Sequence, residues 1–164
     1  MTDCMTPEQR HRCMAAIKGK NTRPELVVRK FLFSKGFRYR IHVKKLPGCP
    51  DIVLKKYKTV IFIDGCFWHG HKECRLSQPP KSNSDFWRHK IDLNKARDYR
   101  VNVELGLLGW KVIRIWECGL KGKELREQTL NSLVGYITGA YSSIEHPVTA
   151  IAAESDSEYG AKTN

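Results

Sequence analysis

The sequence predicts a single α/β domain in which a small mixed β-sheet is covered by helices on both faces. Three observations predict it. After a thin N-terminal helix, apolar residues follow the order helix, three strands, helix, strand, helix, with helical spacing in the long segments and short β-prone runs in the others. The length of 164 residues, 41% of them hydrophobic, allows one core and leaves little room for a second. No internal repeat breaks the chain into smaller units.

Each element has a local cause. Thr6-Pro7-Glu8-Gln9 opens a helix running to about Lys18, ended by Gly19-Lys20-Asn21; its apolar content is thin, so residues 1–21 are expected to form an arm that orders on a partner. Thr22, with Pro24 in the first turn and Glu25 three residues after the cap, starts a core helix carrying Leu26, Val27, Val28, Phe31, Leu32 and Phe33 towards Gly36. Strand-like runs follow over Phe37 to Ile41, Asp51 to Leu54 and Thr59 to Ile63, the last two joined by the basic turn Lys55-Lys56-Tyr57-Lys58 as part of a meander. Gln78-Pro79-Pro80 breaks the chain before a basic helix from Ser84 to about Leu108, stopped by Gly109. A strand, Trp110 to Ile115, and a helix from about Lys123 to Ile137 complete a domain of residues 22–138. The segment 139–164, rich in small and polar residues, is expected to be a largely disordered tail.

The densest chemistry lies in Asp64-Gly65-Cys66-Phe67-Trp68-His69-Gly70-His71-Lys72-Glu73-Cys74. Thiolate sulfur and imidazole nitrogen are the ligands Zn²⁺ prefers, and Cys66, His71 and Cys74 are spaced so that one loop can fold around an ion. Cys118, just after the last strand, supplies a fourth ligand, and a closed Cys₃His site would staple two strand ends together. The N-terminus has no apolar signal core and no apolar run is long enough to span a bilayer, so a reducing cytoplasm is expected and clustered cysteines point to metal before disulfides.

Twenty-nine Lys and Arg against 17 Asp and Glu give a net charge of +12. A polyanion is the natural partner, and nucleic acid fits because neutralising phosphates releases condensed counterions. A membrane surface is excluded as a partner: no segment joins a basic face to a strongly apolar one. Lys90, Lys95, Arg97 and Arg100 on the long helix form a solvated or phosphate-facing surface.

In Leu46-Pro47-Gly48-Cys49-Pro50-Asp51, a proline and then an acid precede an apolar strand, while Asp64 ends the next strand. Antiparallel pairing would bring Asp51 and Asp64 to the same end of the hairpin, where two carboxylates and phosphate oxygens suit the octahedral oxygen coordination of Mg²⁺. Glu25 can join from its helix, although the capping box Thr22-x-x-Glu25 is by itself a sufficient reason for it.

Leu46-Pro47-Gly48-Cys49-Pro50-Asp51 together with Gly65-Cys66-Phe67-Trp68-His69 resemble the motifs of the very short patch repair (Vsr) endonucleases, bacterial enzymes that nick DNA beside thymine-guanine mismatches. The resemblance covers roughly Met5 to Ile137, with supporting matches at Met14, Glu25, Asp85-Phe86-Trp87, Leu108-Gly109-Trp110 and Trp116-Glu117-Cys118. It implies a restriction-endonuclease-like α/β core and a Mg²⁺-dependent nick that starts repair of deaminated 5-methylcytosine. On this resemblance Asp51 is the central Mg²⁺ ligand, helped by the backbone carbonyl of Ile63. His69 acts on the attacking water or the scissile phosphate, and Glu25 assists. Cys66, His71, Cys74 and Cys118 hold a structural Zn²⁺. Phe67, Trp68 and Trp87 insert beside the mismatch, with Met14 approaching from the other groove. The implied partners are double-stranded DNA with a T:G mismatch, mismatch-repair proteins and a repair DNA polymerase; a monomer suffices for one nick, and DNA binding would associate the protein with the bacterial nucleoid.

Two departures stand out. Ile63 and Asp64 occupy positions where the family's pattern has threonine and histidine. Either His69 handles protons alone or Asp64 adds a carboxylate to the metal site. The metal loop also carries one extra residue between His71 and Cys74, a spacing zinc loops tolerate. Two other functions fit the same residues: a restriction-type nuclease without mismatch preference, and a non-catalytic zinc-stapled DNA-binding module, which would have no need of Asp51 or His69.

Overall fold

The computed structural model describes residues 6–16, 19–80, 83–140 and 148–149. Four helices, α1 (Pro7–Ala15), α2 (Arg23–Ser34), α3 (Ser84–Leu107) and α4 (Lys123–Thr138), surround strands β1 (Ile52–Leu54), β2 (Thr59–Asp64), β3 (Lys111–Trp116) and the two-residue β4 (Val148–Thr149). The sheet order is β1-β2-β3-β4. β1 and β2 form the expected antiparallel hairpin, with Ile52 opposite Ile61. β2 and β3 run parallel, Thr59 to Asp64 against Lys111 to Trp116, because α3 carries the chain back across the sheet.

Alternation along the strands sorts the core into two layers. Ile52, Leu54, Ile61, Ile113 and Ile115 face α2 and α4, where they meet Val28, Leu32, Leu130, Leu133 and Ile137. Val53, Val60, Phe62 and Val112 face the opposite way and pack against Val101 and Leu105 of α3. Both faces are therefore covered, as the sequence predicts.

The expected strand from Phe37 to Ile41 is not formed. Arg40 makes only an isolated bridge to Val53, donating to its carbonyl at 2.9 Å and accepting from its amide at 2.8 Å. The backbone turns left-handed at Gly36 (φ 83°) and again at His42 (φ 46°), so too few residues stay extended to extend the ladder. Within the expected tail, Val148 and Thr149 pair antiparallel with Ile115 and Arg114; the rest of it beyond Ala140 lies outside the described residues.

Helix starts follow the sequence closely. Thr22 caps α2 through a complete capping box: its hydroxyl accepts from the Glu25 amide, and the Glu25 carboxylate accepts from the Thr22 amide at 3.2 Å. Thr22→Ala is expected to cost about 1 kcal/mol, measured as a lower urea midpoint at unchanged slope. Gly48 (φ 68°) lets the Pro47-Gly48 turn press onto α3, where a Cβ would meet Val101 Cγ1 at 2.5 Å. The turn thereby fixes the approach to Asp51.

Candidate active site and metal centre

Past the end of β2 the chain folds into a tight loop against α3. Gly70 (φ 59°) makes the closest approach, with room for no side chain between it and Ile91 and Lys95. His71 donates its amide to the Cys66 carbonyl at 3.0 Å and stacks on Trp116 of β3, ring centroids 4.1 Å apart and planes within 5°. This loop closure brings Cys66, His71, Cys74 and Cys118 together, one ligand atom from each lying within 4.8 Å of the others. Cys118 Sγ is 3.4 Å from His71 Nδ1. Burial, added to the neighbouring sulfurs, pushes the Cys66 thiol up to about 12, whereas backbone hydrogen bonds pull Cys74 down. A borderline-soft cation would relieve that crowding by taking thiolates as ligands. The donor set is therefore chemically fit for a metal.

Asp51 lies at the foot of β1, and its Oδ2 accepts from the Ile63 amide at 2.8 Å. Burial, reinforced by the charges of Glu25 and Asp64, raises its pKa to about 6 despite that hydrogen bond. Glu25, His42 and Asp51 each bring a ligand atom within 4.8 Å of the others. Glu25 already has four donors: Asn21 and Thr22 amides, the Thr22 hydroxyl and Arg29 Nη2 at 2.6 Å. Its structural work is thus as prominent as any catalytic one. Arg29 Nη2 also donates to His42 Nε2 at 3.0 Å, and burial followed by the Arg29 charge lowers the His42 pKa, consistent with a neutral ring.

Asp64 is at the same end of the hairpin but meets other partners, on the α3 side of the sheet. Phe62 packs towards α3, and Asp64, two residues further along β2, points the same way. There Arg114 Nη1 of β3 donates to Asp64 Oδ2 at 2.6 Å. The structure groups Asp51 with Glu25 and His42, and Asp64 with Arg114 and His69. His69 Nδ1 lies 2.5 Å from Asp98 Oδ2 and 3.8 Å from Asp64 Oδ1. Burial alone would lower the His69 pKa, but the Asp98 hydrogen bond and the two carboxylate charges raise it. Asp98 is lowered because its bond to His69 and the Arg114 charge together outweigh its burial.

Next to His69, three rings form an edge-to-face cluster. Phe67 and Trp68 centroids are 5.1 Å apart, Phe67 and Trp87 5.3 Å, and Trp68 and Trp87 6.0 Å. Lys90 lies 5.8 Å from the Trp68 centroid and 5.7 Å from that of Trp87. Asn94 anchors the loop by donating to the Trp68 carbonyl at 2.9 Å. The rings are half-buried, leaving faces for a partner, and Arg88, Lys95, Arg97 and Arg100 continue the exposed basic surface along α3. Met14 belongs to α1, but its side chain lies outside the described residues.

Sequence reasoning missed His42, Asp98 and Arg114. No local signal marks them, since Asp98 sits in a basic helix and Arg114 inside an apolar strand.

Among the described residues no helix is long and apolar enough to cross a membrane. A family model described as DNA mismatch endonuclease Vsr matches residues 2–76. The chain is 52% identical over 140 residues to a type II nicking enzyme, V.NmeAIP, of Neisseria meningitidis serogroup A, covering 85% of this chain and 99% of that protein. It is 46% identical over 134 residues to the type II nicking enzyme V.XorIIP of Xanthomonas oryzae pv. oryzae, covering 82% of this chain and 98% of the relative. Over 124 residues it is 40% identical to the DNA mismatch endonuclease Vsr of Escherichia coli strain K12, covering 76% of this chain and 79% of the relative.

Proposed function

From the premise that the chain belongs to the Vsr DNA mismatch endonuclease family, and is therefore a DNA endonuclease and no mere binding module, we propose that it nicks one strand beside a thymine-guanine mismatch. The observation that carries this reading is the direct succession of Phe67, Trp68 and His69 on one anchored loop. Rings that enter a base step fix the imidazole relative to the adjacent phosphate. Unstacking costs a few kcal/mol per step, least where pairing is already poor, so an apolar wedge favours a wobble pair.

Asp51, with the Ile63 carbonyl and Glu25 beside it, is the oxygen-rich set to hold Mg²⁺. When bound, Mg²⁺ neutralises phosphate charge and stabilises the leaving oxygen. Asp98 holds His69 through Nδ1, which leaves Nε2 to exchange a proton with the attacking water or the scissile phosphate. Cys66, His71, Cys74 and Cys118 hold Zn²⁺ in a closed structural site. The basic face of α3 positions the duplex through its phosphates.

The test uses labelled duplexes with Mg²⁺, one carrying a single thymine-guanine mismatch in a cytosine-methyltransferase context and one fully paired, resolved on a denaturing gel. A nick confined to the thymine strand is expected. Equal cutting of both duplexes would favour a nuclease without mismatch preference. Trp68→Ala should reduce the preference for the mismatched duplex about ten- to a hundredfold, the scale of one base-aromatic stack.

A further inference from the structure

Arg114 is almost completely buried, with 4% of its surface exposed, in the layer between the sheet and α3. It stands opposite Phe62 in the parallel ladder, its guanidinium 4.7 Å from that ring's centroid. Its nitrogens are shared out among separate partners. Nη1 donates to Asp64 Oδ2 at 2.6 Å, Nε donates to Asn102 Oδ1 at 3.2 Å, and Nη2 lies 3.6 Å from Asp98 Oδ1. The other oxygens of the two carboxylates face one imidazole: Asp98 Oδ2 is 2.5 Å, and Asp64 Oδ1 3.8 Å, from His69 Nδ1. One guanidinium therefore holds, by their far oxygens, both carboxylates that border His69.

We propose that Arg114 is a positioning residue for strand cleavage, and that Asp64 serves with Asp98 to orient His69 instead of binding the catalytic cation. The proposal rests on the nicking role given to His69 and deepens it. Asn102 and the Phe62 ring fix the plane of the fork, the fork fixes both carboxylates, and the carboxylates fix the tautomer and tilt of the imidazole. Asp64 stands where the family's pattern has a histidine, and Arg114 explains how the acid is accommodated. Its charge is met on the neighbouring strand, away from the grouping of Asp51 with Glu25. A lone buried ion pair would need one contact. The divided fork, with two carboxylates converging on one ring, is a built device.

The test uses the full-length protein in three forms. Arg114→Lys keeps the positive charge and loses the planar fork. Its single-turnover rate on the mismatched duplex is expected to fall about ten- to a hundredfold, the scale of a misplaced reacting group, with Kd for the duplex unchanged. The low-field proton resonance of the His69 Nδ1–H, assigned by its loss in His69→Gln, should shift in the same variant. An unchanged rate, or a lowered rate with the resonance unmoved, would overturn the positioning role. Asp64→Asn, which keeps the shape and one acceptor, should lower the rate while the Mg²⁺ midpoint of cleavage stays in place; a raised midpoint would return Asp64 to the cation. If His69→Gln itself cut at full rate, the nicking role of His69 would fail, whereas the resonance would still report whether Arg114 orients the ring.

Discussion

Asp51→Asn is expected to lower the single-turnover nicking rate about a thousandfold, the several kcal/mol that electrostatic stabilisation of a transferring phosphoryl group contributes, and at the same time to make the protein more stable. The amide oxygen can still accept from the Ile63 amide, so the contact that ties the loop to β2 survives. Only the charge is lost. That charge is disfavoured in the fold, where burial and the nearby Glu25 and Asp64 raise the pKa from 3.8 to about 6. The sign follows directly. Below pH 3.8 the carboxyl is protonated in both folded and unfolded chains and has no differential effect; as pH rises to about 6 the unfolded chain releases its proton first, so the native state loses stability. Above that range the wild type should be the less stable of the two by an amount on the order of 3 kcal/mol, the shift from 3.8 to about 6 at about 1.4 kcal/mol per pKa unit. Denaturation curves of both proteins from pH 4 to 8, without added divalent cation, check this. Curves that stay parallel across the range would mean that the carboxylate is already compensated, and an Asp51→Asn protein that still nicks at full rate would remove Asp51 from the reaction.

What the sequence made legible divides along the range of the interactions. The capping box of α2, the hairpin β1-β2, the long basic helix α3 and the grouping of Cys66, His71 and Cys74 are set by spacings within one segment, so pattern and position suffice. Cys118 was legible despite its distance because a Cys₂His loop asks for a fourth ligand. Phe37 to Ile41 failed for the opposite reason: its residues suit a strand, but the left-handed turn at His42 ends the extended stretch, and histidine does not announce such a turn. That same turn brings His42 beside Glu25 and Asp51. The acidic pair was half legible. Antiparallel pairing does bring Asp51 and Asp64 to one end, yet Asp51 stands before the first residue of β1, outside the strand's alternation, and joins Glu25 of α2 and His42, whereas Asp64 pairs with Arg114 beside α3. Arg114 and Asp98 could not be found this way, since a parallel register across a 24-residue helix decides who faces whom.

Cys118→Ser is expected to be the most destabilising single substitution at the proposed zinc site. Ligand exchange at a structural metal falls in the class of mutations that exceed about 4 kcal/mol, and for a domain of this size that lowers the melting temperature by roughly 15 °C. The position explains the size of the effect. Cys66 and His71 belong to the loop after β2, and Cys118 to the turn after β3, so the ion would join the ends of two parallel neighbours whose pairing stops at Asp64 and Trp116. Without it, a buried thiol held up to about 12 and two further sulfurs remain crowded in a space shaped for thiolates around a cation. Zinc content measured by mass spectrometry should fall from one ion per chain to none. Cys49→Ser, at a half-buried cysteine outside the quartet, should change neither zinc content nor melting temperature. A disulfide origin for the stability would give a different pattern, because a thiol reductant would then reproduce the Cys118→Ser loss in the wild type. The consequence for cleavage follows from the chain itself: Phe67, Trp68 and His69 lie between two proposed ligands, Cys66 and His71, so a loop freed at both ends would lose the fixed relation between wedge and imidazole. A Cys118→Ser protein held folded at low temperature should therefore bind duplex through α3 yet nick it slowly. Wild-type nicking by a folded, zinc-free variant would show that Asp98 and Asn94 alone hold the loop in place.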